Sequence, residues 1–118
     1  MPFDWMEFVA LAKKLKDENN EASHRSAISR VYYGVFCTAR NYLETLQTSS
    51  RYREGTVHST VWLAFRNKGG HTHRAIGIEG DRLCKMRTAA DYDDNVKNLN
   101  LKSSEAFLIA DKILQCLR

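Results

Sequence analysis

One stretch constrains the chain more than any other. From Ile28 to Leu46 the apolar residues Ile28, Val31, Tyr32, Val35, Phe36, Ala39, Leu43 and Leu46 fall at three- and four-residue steps. That is the spacing of one face of an α-helix held for about five turns, because side chains at i, i+3, i+4 and i+7 stack along one side. Arg30, Tyr33, Cys37, Arg40 and Glu44 repeat at the same steps along a neighbouring face. A strand cannot use this pattern, since its faces alternate every second residue. The stretch therefore predicts a long helix with a greasy side for a core and an arginine–tyrosine side next to it.

The remaining segments follow suit. Residues 3–17 carry a stripe of Trp5, Phe8, Val9, Ala12 and Leu15, with Asp4 and Glu7 where the helix N-terminus favours acids and lysines near the end. Asp17 to Asn20 is a polar break, and Ser23 or a neighbour is a candidate cap for the long helix. Residues 47–55 form a polar loop in which Arg51, Tyr52 and Arg53 set two cations about an aromatic ring. Thr56 to Asn67 predicts a third helix on Val57, Val61, Trp62, Ala64 and Phe65, with His58 at the edge of its stripe as a packed, hydrogen-bonded histidine. Lys68-Gly69-Gly70 stops that helix. His71 to Arg74 lie in the break, residues 79–89 predict a short fourth helix, and a polar connection runs through Asn100. The last helix starts near Ser103 or Ser104.

No alternation of strand type persists, and the one proline is at position 2. The expected architecture is all-α: an up-and-down four-helix bundle plus a short fifth helix, a single domain over residues 1–118. No run of eighteen apolar residues is present, which argues against a membrane span. Met1 to Trp5 carry neither a basic region nor an apolar export core. A cytoplasmic location is expected, with Cys37, Cys84 and Cys116 as free thiols. The net charge of +4, from 18 Lys and Arg against 14 Asp and Glu, is compatible with nucleic acid as a partner.

The densest polar cluster runs from Arg66 to Arg74. It holds Arg66, Asn67, Lys68, His71, His73 and Arg74. Internal transesterification of RNA needs a base for the 2′-hydroxyl proton, an acid for the leaving 5′-oxygen and a cation for the phosphate. Histidine titrates near neutral pH, and arginine presents fixed donors to phosphate oxygens. His71 or His73 would move the protons, Arg66 would hold the phosphate and Asn67 would orient them. This chemistry needs neither metal nor cofactor. A zinc site built from His58, His71, His73 and Cys84 lacks the paired spacing of structural zinc sites. A second polar set, Arg87, Asp91, Tyr92, Asp93 and Asp94, places Arg87 and Asp91 one helical turn apart.

Three pieces in order, RSAISRVYYGVFCTARNYLE, VHSTVWLAF and RTAADYD, resemble the HEPN (higher eukaryotes and prokaryotes nucleotide-binding) domain superfamily over residues 20–115. The resemblance implies a four- or five-helix up-and-down bundle that forms a homodimer. Many members are metal-independent endoribonucleases of toxin–antitoxin, phage-defence or CRISPR systems, acting on RNA. Others bind nucleotides, or partner a minimal nucleotidyltransferase or an antitoxin, without cutting. The ribonucleases carry an arginine, often followed by asparagine, and a histidine four to six residues on. Here Arg66-Asn67 with His71 or His73 fits. For RNA or nucleotide binding the same comparison offers Arg30, Tyr33, Arg40, Arg74 and Arg87. It also implies that Arg87, Asp91 and Tyr92 tie the last helices to Arg30 and Tyr33 of the long one.

Overall fold

The computed structural model describes residues 2–46 and 58–117. Arg51, Tyr52 and Arg53 and the start of the predicted third helix, Thr56 and Val57, lie outside them. The described residues form helices and connections with no strand. They are α1 Met6–Asp17, α2 Glu21–Leu46, α3 His58–Asn67, α4 His71–Tyr92 and α5 Leu99–Cys116.

The long helix is the hub. α2 has 26 residues, or about 39 Å of helix, and all four other helices pack on it. Its apolar stripe is buried from Ile28 to Leu43, with Val31, Tyr32, Val35, Ala39 and Leu43 fully enclosed together with Trp62, Phe65, Leu83 and Ile113 of the other helices, but Leu46 at its end is 43% exposed. α1 approaches α2 at Gly34, where an added Cβ would stand 2.7 Å from Val9 Cγ2 and 3.1 Å from the Trp5 carbonyl oxygen. α4 runs antiparallel to α2. Arg25 meets Ala90, Ser29 meets Asp91, and Tyr42 meets His73.

Several helix boundaries differ from the sequence reading. The α2 cap is Asn20, whose Oδ1 accepts the Ser23 N–H at 2.9 Å, while the Ser23 hydroxyl donates to Glu18. α4 begins at His71, not at residue 79, and has 22 residues, so it is not the short helix; α3 has 10 among the described residues. The extra turns contain Gly77, and Gly80 follows within the predicted part. Both are unfavourable in an isolated helix, but here they let α3 lie against α4, with the Trp62 ring over Gly80. α5 begins at Leu99 and not near Ser103. Its N-cap, Asn98, is left-handed with φ 54° and makes no side-chain cap bond, and Ser103 is fully buried one turn inside the helix.

Candidate functional site

The turn between α3 and α4 is only three residues long. Lys68 donates its N–H to Phe65 O at 3.3 Å, and Gly69 and Gly70 adopt φ of 92° and 83°. Side chains with a Cβ rarely adopt such angles, so the tight reversal depends on this pair. It folds the end of α3 back beside the start of α4. Arg66, Gly69, Gly70, His71 and Arg74 together line one pocket of about 240 Å³.

The pocket is suited to an anion. It sits at the N-terminus of a 22-residue helix whose N-cap is a glycine with no side-chain capping bond. The first backbone N–H groups of a helix lack intrahelical acceptors and carry partial positive charge. Arg66, His71 and Arg74 are exposed and make no side-chain hydrogen bond or ion pair among the described residues. Two guanidinium groups, an imidazole and free backbone donors therefore share one opening. A phosphate group, with several acceptor oxygens, matches such a donor set.

The two candidate histidines part company. His71 lines the pocket. His73 is half-buried and turns toward α2, where its Nε2 lies 3.1 Å from the Tyr42 hydroxyl and its ring is 6.1 Å from that of Phe65. Asn67 is the exposed last residue of α3 and does not line the pocket. Arg74, a candidate binding residue, lines the same pocket as Arg66. The signal that joins them is the pair of glycines, which looked like a separator and acts as a fold-back.

The arginine–tyrosine side of α2 is half-buried and makes ring contacts with α1 and α4. The Arg30 guanidinium lies 4.9 Å from the centre of the Phe8 ring and 5.1 Å from that of Tyr33, and Arg40 lies 5.7 Å from Trp5. Arg40 also donates to Asn41 Oδ1 at 3.2 and 3.3 Å. These cation–π contacts hold α1 against α2. Arg87, only 9% exposed, stacks over Tyr32 and Tyr33 at 5.4 and 5.5 Å and pairs with Asp91 at 3.5 Å. Asp91 in turn accepts the Ser29 hydroxyl at 3.3 Å, and Arg30 donates to the same hydroxyl at 3.4 Å. Arg87 and Asp91 thus join α4 to Ser29, Arg30 and Tyr33. Tyr92 takes no part in that link, since it is 74% exposed.

His58 is packed and hydrogen-bonded. Its ring lies 4.2 Å from that of Phe36, and its Nδ1 lies 2.7 Å from the Tyr32 hydroxyl, which also accepts the Trp62 indole N–H at 3.1 Å. Burial first, and then the nearby Arg87 charge, push the His58 pKa below its ordinary value. Burial pushes the Tyr32 phenol far above its usual range, so it stays neutral, and raises the Cys37 thiol against a smaller opposing effect of Arg40. Cys37 is therefore a poor nucleophile. Among the described residues no three His, Cys, Asp or Glu side chains gather as a metal site. Nor is any described helix long and apolar enough to cross a membrane. Comparison with family models, curated proteins and solved structures finds no match.

Proposed function

We propose that the chain is a HEPN-like domain acting in the cytoplasm as a homodimeric, metal-independent endoribonuclease of toxin or phage-defence type. The observation that carries this reading is the joint presence of Arg66 and His71 in one pocket at the start of α4. Arg66 and Arg74 would hold the scissile phosphate, with the α4 N–H groups adding donors to its oxygens. His71 would take the proton from the 2′-hydroxyl as its oxygen bonds to phosphorus, or return a proton to the 5′-oxygen as the P–O5′ bond breaks. The products are a 2′,3′-cyclic phosphate and a 5′-hydroxyl, and the balance requires no redox partner.

One imidazole cannot serve as base and acid at the same instant. A second copy facing the first would supply the other. Leu63, one turn before Arg66, and Ile78, one turn after Arg74, are 48% and 42% exposed beside the pocket. Apolar groups next to a charged site are what a second subunit would cover. The test is incubation of the protein with total RNA in chelator, with the cyclic-phosphate end as the readout. Absence of such ends over long incubation contradicts the reading.

The same pocket favours a second reading. Arg66, Arg74 and the helix terminus suffice to bind a phosphate group without chemistry, and only His71 of the two neighbouring histidines reaches it. A non-catalytic RNA-, nucleotide- or protein-binding module, including the partner of a nucleotidyltransferase or an antitoxin-like subunit, would use it so. Retention of intact RNA with steep salt dependence separates this reading from cleavage.

A further inference from the structure

A second pocket, of about 230 Å³, lies near the far end of α4, about 21–28 Å along the helix from His71. α2, α4, α5 and the 93–98 connection enclose it. Its burial is graded. Ile28 and Ala90, 2% and 3% exposed, form an apolar floor. Met86, Ala89 and Val96 are half-buried walls, and Met86 adds a thioether able to adapt to what it touches. Lys85 and Lys102 are exposed and complete the lining at the solvent side.

The connection and the cations bear on what this pocket can hold. Arg25 ties down the start of the connection by donating to the carbonyl oxygens of Ala90, Asp93 and Asp94 at 3.0, 2.6 and 3.2 Å. Its other end runs into α5, where the Asn98 carbonyl accepts the Lys102 N–H at 2.9 Å as the helix's first bond. The start of the wall that carries Val96 is thus held by the protein's own hydrogen bonds. The Lys102 ammonium has no ion pair among the described residues. The Lys85 ammonium is 3.4 Å from Asp81, but its side chain is 79% exposed, and such a pair is readily exchanged.

We propose that this pocket binds a small amphipathic anion: a carboxylate on an apolar body of about six to eight carbons, its head held by Lys85 and Lys102. A short chain of that size is commensurate with a pocket of about 230 Å³. A nucleotide base would find no polar partner on the floor, an amine would meet like charge, and a plain hydrocarbon would leave both lysines unused. The proposal stands apart from the Arg66–His71 reading and shares no residue with it.

Octanoate, below its micelle concentration, tests it with the full chain labelled for NMR. The expected result is saturable shifts at the Met86 methyl and at the amides of Ile28, Val96 and Lys102. Octan-1-ol should bind about three- to tenfold more weakly, in line with the effect of one or two exposed charges. The K85Q/K102Q variant should lose that preference, and Ala89→Phe, which fills the pocket, should abolish binding of both. Should Ala89→Phe fail to fold, the lysine variant at exposed positions still decides. No saturable shift, shifts centred elsewhere, or equal affinity for octanoate and octan-1-ol on the unaltered chain would overturn the proposal.

Discussion

The Tyr32 hydroxyl lies 2.7 Å from His58 Nδ1, joining the centre of α2 to the first turn of α3. The Trp62 indole donates to the same hydroxyl. Trp62 N–H to Tyr32 oxygen, and Tyr32 O–H to His58 Nδ1, is a complete donor-to-acceptor chain when His58 is neutral. Burial and Arg87 both oppose its protonation. The folded chain therefore holds a proton on His58 less readily than the unfolded chain does. The stability this contributes is fully present above the ordinary histidine pKa of about 6.5 and is lost as pH falls through the lowered folded value. Urea unfolding at pH 7.5 and pH 5 should show a loss on acidification that is smaller in His58→Gln. An equal loss in both proteins contradicts the assignment.

Gly77 sets how closely α3 can approach α4. A Cβ there would meet the Trp62 carbonyl oxygen at 2.5 Å and the Arg66 nitrogen at 2.8 Å, besides the Arg66 side chain. Alanine gains about 1 kcal/mol of helix propensity over glycine. The clash is with backbone, which cannot swing aside, so it prevails. Gly77→Ala is expected to destabilise by about 1–3 kcal/mol net in urea unfolding. Because the displaced atoms belong to Arg66, RNA affinity should fall as well. A stability equal to or above the parent's refutes the close packing.

Arg25 braces the end of α4 through the three carbonyl oxygens it reaches at residues 90, 93 and 94. Its guanidinium fork spans them at once, which a lysine's single ammonium cannot do. Arg25→Ala should cost about 1–3 kcal/mol, and Arg25→Lys should recover little of it. Hydrogen exchange of the α4 C-terminal amides locates the effect. Full rescue by lysine argues against the fork.

Arginines that belong to the fold and those that belong to the pocket separate by salt. Arg66→Ala and Arg74→Ala should each lower the slope of log affinity for single-stranded RNA against log salt by about 0.7, as loss of one phosphate contact predicts. Arg30→Ala and Arg87→Ala should lower the unfolding midpoint and leave that slope unchanged, because both guanidinium groups stack on rings within the bundle. A flattened slope from either would place Arg30 of α2 or Arg87 of α4 on the binding surface.

Much of the bundle was legible in the residues. The α2 stripe named its own buried face, and the stripes of α1, α3 and α5 placed the other helices on it. Helix starts were not legible where tertiary contacts outweigh local preference. The first turns of α4 read as a break because they follow Gly69-Gly70 and contain Gly77, whose place in the helix is explained only by the close approach of Trp62 and Arg66. Ser103 has the chemistry of a cap but sits in the core, while left-handed Asn98 starts α5. Of the site, Arg66 and His71 could be named from chemistry and spacing. That His71 faces the pocket and His73 faces Tyr42 depends on the angle at which the glycine turn returns the chain. The brace from Arg25 joins positions 65 to 69 residues apart in sequence, and no local pattern announces it.

The most direct measurement is cleavage of a 5′-labelled single-stranded RNA by the purified chain in chelator, beside Arg66→Ala, His71→Ala and His73→Ala. The account predicts fragments ending in 2′,3′-cyclic phosphate from the unaltered protein. Loss of either Arg66 or His71 should reduce the rate by about 10²-fold or more, as expected for a charge-stabilising group or an acid–base group. His73→Ala, which removes a packing partner of Tyr42, should retain most of the rate. All helical signals should persist in circular dichroism. Cleavage that survives both Arg66→Ala and His71→Ala in folded protein, or no cleavage by the unaltered chain, would contradict the central claim.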